Sequence, residues 1–310
     1  MRPLPLLAAL LVITPCAAAA AVQARLTPEL AVGGGWASAL LVGSDFPHWQ
    51  THVAPGVAFD LSTGPVVKIL SSYRLTWSRY GPDASSLLHD GALNLRLRLS
   101  RQVDLDLRAS VEQVDFEDIS GSASGDPSAP PTAASLAFDA GPVLRWRLSD
   151  RTTAEASLAA GKRANDLGDG ASVEEDFQVG VLSLIHRFSG IFEAGVQYRR
   201  VRNRTTDALW DMDGDGGQVS LGIAPWGELV VRGYAGLQWS RFAADERSDR
   251  YGYTGLGASL PVAPSTTAEI AWSYGANTVV DGGTEADRST FEGTRQVVWS
   301  GLRMELPWWL

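Results

Sequence analysis

Apolar and polar residues alternate over Leu93–Val111, and this period of two constrains the fold more than any other feature of the sequence. Leucine occupies every second position from Leu93 to Leu99, with polar residues between. After three polar residues at 100–102, the alternation resumes at Val103. Successive side chains of a strand point to opposite faces. The segment therefore predicts two β-strands, each with one aliphatic and one polar face.

The polar positions of this segment also predict its register. A three-residue hairpin loop at 100–102 would place opposite charges opposite each other, which is the pairing that antiparallel strands favour. A second segment, 144–155, repeats the arrangement around a loop at 149–151. The predicted facing pairs are Arg98 with Asp104, Arg96 with Asp106, Arg145 with Glu155 and Trp146 with Ala154.

The same alternation recurs along the chain and predicts about fourteen strands. The connections between them alternate between short turns and longer loops. The longer loops include 37–53, 117–133 and 204–215. The predicted strands are 28–36, 54–62, 65–79, 88–99, 103–116, 134–148, 152–162, 175–187, 191–203, 216–224, 228–242, 250–261, 265–277 and 292–307.

A secreted β-sandwich or propeller is the alternative all-β fold. Fourteen strands would require two or more such domains, and no linker separates any. Aromatic residues on the apolar face favour a membrane barrel, because they fall at both ends of the strands as interfacial girdles do. Those near the longer loops are Trp36, Trp77, Tyr198 and Trp239, and those near the short turns are Trp146, Phe192 and Trp308.

The N-terminus is typical of a secretory signal peptide. Met1-Arg2-Pro3 precedes an apolar run over Leu4–Ile13, followed by small residues. We expect cleavage after Ala24, with a site in the alanine run at 17–21 as the alternative. The sequence thus divides into a signal peptide at 1–24 and a barrel at 25–310. The only cysteine, Cys16, would leave with the signal; lipoprotein processing there is disfavoured by Pro15.

The C-terminal strand carries a second targeting pattern. Val298, Leu302, Met304 and Leu306 share one face, close to aromatic residues and the final Leu310. This resembles the C-terminal signal of bacterial outer-membrane β-barrel proteins, a porin-like class, although a terminal Phe or Trp is absent. The resemblance implies a transmembrane antiparallel up-and-down β-barrel of 12–16 strands in the bacterial outer membrane. It also implies insertion from the periplasm, with the barrel-assembly machinery, outer-membrane lipid and lipopolysaccharide as partners.

The polar face of the strands would line the barrel interior, the lumen. Charges exposed to hydrocarbon are costly, so this face should meet water or a partner. The basic residues assigned to it are Lys68, Arg74, Arg96, Arg98, Arg108, Arg145, Arg147, Arg199, Arg232 and Arg303. The acidic residues assigned to it are Asp60, Asp104, Asp106, Glu112, Asp139, Glu155, Asp176, Glu193, Glu269 and Glu305. These equal numbers predict a nearly neutral wall. As the alternative to a functional lumen surface, the facing charge pairs have a purely structural role and only tie neighbouring strands together.

A candidate metal site lies in the predicted loop 204–215. Asp211, Asp213 and Asp215 alternate before Gly216, as carboxylates do in calcium-binding loops. The glutamate that an EF-hand requires at the twelfth position is absent, because Gly222 stands there. The sequence therefore predicts calcium as the only candidate cofactor, with an ordinary acidic loop as the alternative.

These features favour a passive channel or export conduit with a charged lumen, working alone or with periplasmic partners. A non-conducting structural or adhesion barrel, with its function in the external loops, is the main alternative. A lipid-modifying enzyme is a remote one: His89 would face outward near the rim, but no partner serine can be named. We expect no enzyme activity, and the formal net charge of −9 argues against nucleic acid as a partner.

Overall fold

The chain forms one closed β-sheet in the computed structural model, which describes residues 22–38, 48–80, 84–117, 134–166, 172–206, 211–225, 228–243, 246–282, 293–306 and 308–309. From β1 to β14 each strand pairs antiparallel with its neighbours in sequence, and β14 and the short β15 also pair with β1. The strands are β1 (Val22–Ala37), β2 (His48–Thr63), β3 (Val67–Tyr80), β4 (Ala84–Arg98), β5 (Val103–Glu117), β6 (Ala134–Arg147), β7 (Thr152–Asp166), β8 (Ser172–Arg187), β9 (Phe192–Thr205), β10 (Met212–Ile223), β11 (Val230–Phe242), β12 (Ser248–Ala263), β13 (Thr266–Asp281), β14 (Gly293–Glu305) and β15 (Trp308–Trp309).

The seam between the first and last long strands closes the barrel. It extends from Glu29 opposite Glu305 to Ala37 opposite Val297, and the two-residue β15 continues it along β1. Closure gives every long strand two neighbours, so none of the described long strands is an edge strand. A fourteen-stranded up-and-down antiparallel barrel was predicted, and the fold class is confirmed. Among the described residues, no helix is long and apolar enough to cross a membrane.

The strands extend further toward the longer loops than the sequence predicted. β2 begins at His48 rather than at 54, and β10 begins at Met212 rather than at 216. The predicted loops 37–53 and 204–215 are therefore wrong at these ends. On β10 the outward residues of this extension are Asp213 and Asp215, so no apolar alternation marks it although the backbone ladder continues. Residues 1–21 lie outside the described part, and cleavage after Ala24 would remove three paired residues of β1.

The two faces of the sheet differ in chemistry as the alternation predicted. The outer face carries exposed aliphatic side chains such as Leu93, Leu107, Leu144 and Leu182, which are 37–57% exposed. The inner face is identified by contacts that pass over an intervening strand: Arg74 on β3 pairs with Glu29 on β1, and the rings of His52 and Trp299 meet across β1. Such contacts form on a concave surface, where side chains converge.

Both predicted hairpin registers are confirmed. Arg98 lies opposite Asp104 and Arg96 opposite Asp106, and in the second hairpin Arg145 faces Glu155. Outward aromatic residues lie toward both ends of the barrel, with Trp77, Tyr198 and Trp239 at the longer loops and Trp146 at a short turn; each is 43–52% exposed. The apolar outer band thus lies between two aromatic belts, as in a barrel that faces lipid.

Candidate functional site

The charged lumen wall is the candidate site. Register places the basic residues predicted for the lumen, and nine of the ten acidic ones, on the inner face. Asp176 is the exception: it lies opposite Lys162 on the outer face, where the two form a 3.2 Å ion pair. Its neighbour Glu175 points inward and pairs with Arg163. Because Glu174, Glu175 and Asp176 are all acidic, alternation could not fix their parity.

The centre of the wall is Asp106, whose side chain is fully buried. Arg96 holds it with two hydrogen bonds, from Nε at 2.8 Å and from Nη2 at 3.0 Å. Arg108 and Arg145 lie 3.5 and 3.6 Å from its second oxygen. One carboxylate therefore neutralises parts of three guanidinium groups on β4, β5 and β6.

Asp104 organises the row nearest the short turns in the same way. Arg98 lies 3.3 Å from one of its oxygens and Arg147 lies 3.0 Å from the other. Arg145 also reaches Glu155 on β7 at 2.9 Å. We call this set the arginine network, defined by Arg96, Arg98, Arg108, Arg145 and Arg147 with Asp104, Asp106 and Glu155.

Acidic and basic groups of the network differ in their exposure. The side chains of Asp104 and Asp106 are 6% and 0% exposed, whereas those of Arg98, Arg108 and Arg147 are 43–46% exposed. Short aspartates lie close to the sheet, and the longer arginines extend over them. The surface that the network turns toward the lumen is therefore positive, a local property that equal counts of charges over the whole wall do not describe.

The other lumen charges form more separate contacts. Lys68 pairs with Asp60 at 2.6 Å, Arg303 with Glu269 at 2.6 Å, and Arg232 with Glu193 at 3.8 Å. Asp139 accepts a hydrogen bond from Ser110. The remaining predicted lumen residues on the inner face are Arg74, Arg199, Glu112 and Glu305.

Inward-facing tyrosines on β11 and β12 are a feature that the sequence reasoning missed. The rings of Tyr251 and Tyr253 stack with centroids 5.6 Å apart, and Tyr234 lies 6.1 Å from Tyr253. Each ring lies over a glycine of a neighbouring strand, which leaves room for it. These pairs are Tyr234 with Gly255, Tyr253 with Gly236 and Tyr251 with Gly275. Extending strand parity to uncharged residues would have found them.

Of the three predicted calcium-binding residues, Asp211 lies just before β10, and Asp213 and Asp215 lie on it. Residues two apart on a strand are about 6.7 Å apart. Among the described residues, no three acidic, histidine or cysteine side chains are grouped closely enough to hold one ion. Arg204 lies 2.9 Å from Asp213, and Arg200 lies 4.0 Å from Asp215. Calcium binding stays a prediction, and an ion there would have to displace these arginines.

Comparison with known proteins supports the fold. No family model matches the chain, and no curated protein sequence matches it. Two solved structures have TM-scores of 0.53: a mutant of the TodX monoaromatic hydrocarbon channel, at 9% identity over 92% of this chain and 90% of that one, and a bacterial polysaccharide outer membrane secretin, at 10% identity over 90% and 98%. The chain therefore has the fold of a porin-like outer-membrane β-barrel.

Proposed function

We propose that this protein is a passive aqueous conduit across the outer membrane. The observation that carries the proposal is the exposure of the lumen charges: the side chains of Lys68, Arg74, Arg108 and Arg232 are 40–70% exposed on the inner face. Charged side chains with this degree of exposure are stable only in contact with water or a polar partner. A water-filled lumen satisfies that need.

The size of the barrel supports the same function. Barrels of about 8 strands fill their interior with side chains, while those of about 16–18 strands leave a channel. The fourteen long strands of this chain lie between these limits. The two structural neighbours are described as a channel and as a polysaccharide secretin, so transport through the lumen is consistent with the fold. Their identity is too low to transfer a substrate.

The surroundings of His89 favour a conduit over the remote enzymatic alternative. Its Nδ1 lies 2.7 Å from the hydroxyl oxygen of Tyr73, and both side chains lie on the outer face. Within the described part of the chain, no hydrogen bond joins His89 to a serine. The hydrogen bond described for His89 therefore ties it to a phenol of the outer face and not to a nucleophilic hydroxyl of the serine type.

Conductance of the refolded protein in planar lipid bilayers tests the proposal. We expect stepwise current increments, because water and ions fill a lumen with exposed charges. Folding is checked separately by the change in gel migration on boiling. A preparation that is folded by this criterion and yet produces no steps would contradict the conduit and favour a structural or adhesion barrel.

A further inference from the structure

The arginine network contains more positive than negative charge. Its five guanidinium groups face three carboxylates, leaving an excess of two positive charges on the part of the β4–β7 inner face nearest the short turns. Asp139 is the nearest inward acidic residue along β6 toward the longer loops, and it accepts a hydrogen bond from Ser110. The excess therefore belongs to one part of the wall.

The excess positive charge is exposed to the lumen, because the arginine side chains are more exposed than the aspartates that they cover. A solute in the lumen meets the half-exposed heads of Arg98, Arg108 and Arg147 before it can approach the covered oxygens of Asp104 and Asp106. Each guanidinium carries five N–H donors and no acceptor. The aspartates engage only some of them, so several donors remain directed at the lumen.

We propose that Arg98, Arg108 and Arg147 of the arginine network form a binding site for multivalent anions that carry phosphate or carboxylate groups. Planar guanidinium groups match the paired oxygens of both groups. Asp104 and Asp106 hold the arginines in place, so little side-chain entropy is lost when an anion binds. The proposal rests on the conduit function, because solutes reach the network only through an open lumen, and it assigns anionic solutes to that conduit.

Equilibrium binding of inorganic pyrophosphate, measured by calorimetry on the refolded barrel in detergent at low salt, tests the site without requiring conduction. Arg98→Gln and Arg108→Gln each remove one exposed cation from the network. Asp104 still keeps Arg147, and Asp106 still keeps Arg96 and Arg145, so both variants should fold. We expect each to weaken pyrophosphate binding about tenfold, the effect of losing one charge-assisted hydrogen bond.

Arg232→Gln is the matched control. Arg232 is a lumen arginine that is 70% exposed on β11, outside the network, and its removal changes the net charge equally. We expect the parent affinity in this variant. An equal loss in the control would show that general lumen charge attracts the anion, and a parent without pyrophosphate binding would also overturn the site.

Bilayer recordings keep the two proposals separable. Pyrophosphate binding without conductance would refute the conduit while leaving the arginine site standing. Conductance without pyrophosphate binding would refute the site alone. In a potassium chloride gradient the parent should prefer chloride, and Arg108→Gln should reduce that preference, more strongly at low ionic strength.

Discussion

At the scale of single residues, Asp106 has the largest structural role in the lumen wall. Its side chain is fully buried, and three arginines surround it. A buried carboxylate without partners would be costly, and so would three guanidinium groups without a carboxylate. The side chain therefore stabilises the wall by neutralising cations on three strands.

Asp106→Asn should destabilise the barrel. The amide keeps the size of the side chain but carries no charge, so Arg96, Arg108 and Arg145 would repel one another. We expect a loss of about 2 kcal/mol, in the range of hydrogen bonds to charged groups, measured by urea unfolding in lipid vesicles. Asp176→Asn removes a similar carboxylate from an exposed outer pair and should change stability little. Equal stability of both variants would show that the network is not stabilising.

At the scale of strands, close backbone approach decides where glycine is needed. At Gly141 and Pro142 the ladder between β6 and β7 lacks pairs, and proline cannot donate a backbone hydrogen bond. A Cβ at position 141 would meet the carbonyl oxygen of Leu158 and lie 2.9 Å from the Cα of Ala159. Backbone atoms cannot move aside as a side-chain end can.

Gly141→Ala should therefore weaken the β6–β7 pairing. We expect a loss of about 2 kcal/mol in the same unfolding assay, typical of overpacking. Gly180→Ala on β8 is the matched control, because a Cβ there would meet nothing within 4 Å. If both variants unfold at the same urea concentration, β6 and β7 can separate locally at no cost and the close approach is not restrictive.

The sequence was sufficient to predict strand order, hairpin register and the inward direction of most charges. Apolar residues at every second position mark the side of a strand that faces lipid, and the polar residues between them mark the inner side. The extension of β10 toward the longer loop could not be predicted, since its outward residues there are Asp213 and Asp215 rather than apolar ones. The difference in exposure between Asp104 and Arg98 could not be predicted from the sequence either. That difference depends on side-chain length over a concave wall, which pairing alone does not describe.

At the scale of the whole molecule, the outer surface changes chemistry along the strands. On β9 the apolar Val196 is followed by Tyr198 and then by the exposed Arg200 and Arg202. The charged face thus begins just beyond the aromatic belt at the longer loops. Short turns face the periplasm in bacterial barrels, so this face would lie at the height of the outer headgroups.

A barrel with a lipid-facing outer surface and a water-filled lumen requires that adjacent residues of one strand meet different solvents. Arg108 faces the lumen, and Leu107 beside it faces lipid and is 45% exposed. A chain that starts at Arg25 contains no cysteine, because Cys16 is the only one in the sequence. Single cysteines at these two positions can therefore be modified selectively.

The most direct measurement is the bilayer current through Arg108→Cys before and after addition of a negatively charged, membrane-impermeant thiol reagent, with Leu107→Cys as the control. We expect the reagent to change the current of Arg108→Cys and to shift its selectivity toward cations, because a negative group would enter the lumen. Leu107→Cys should not respond, since lipid covers it. A response of Leu107→Cys, or an unmodified current in Arg108→Cys, would contradict a water-filled lumen lined by this face of the sheet.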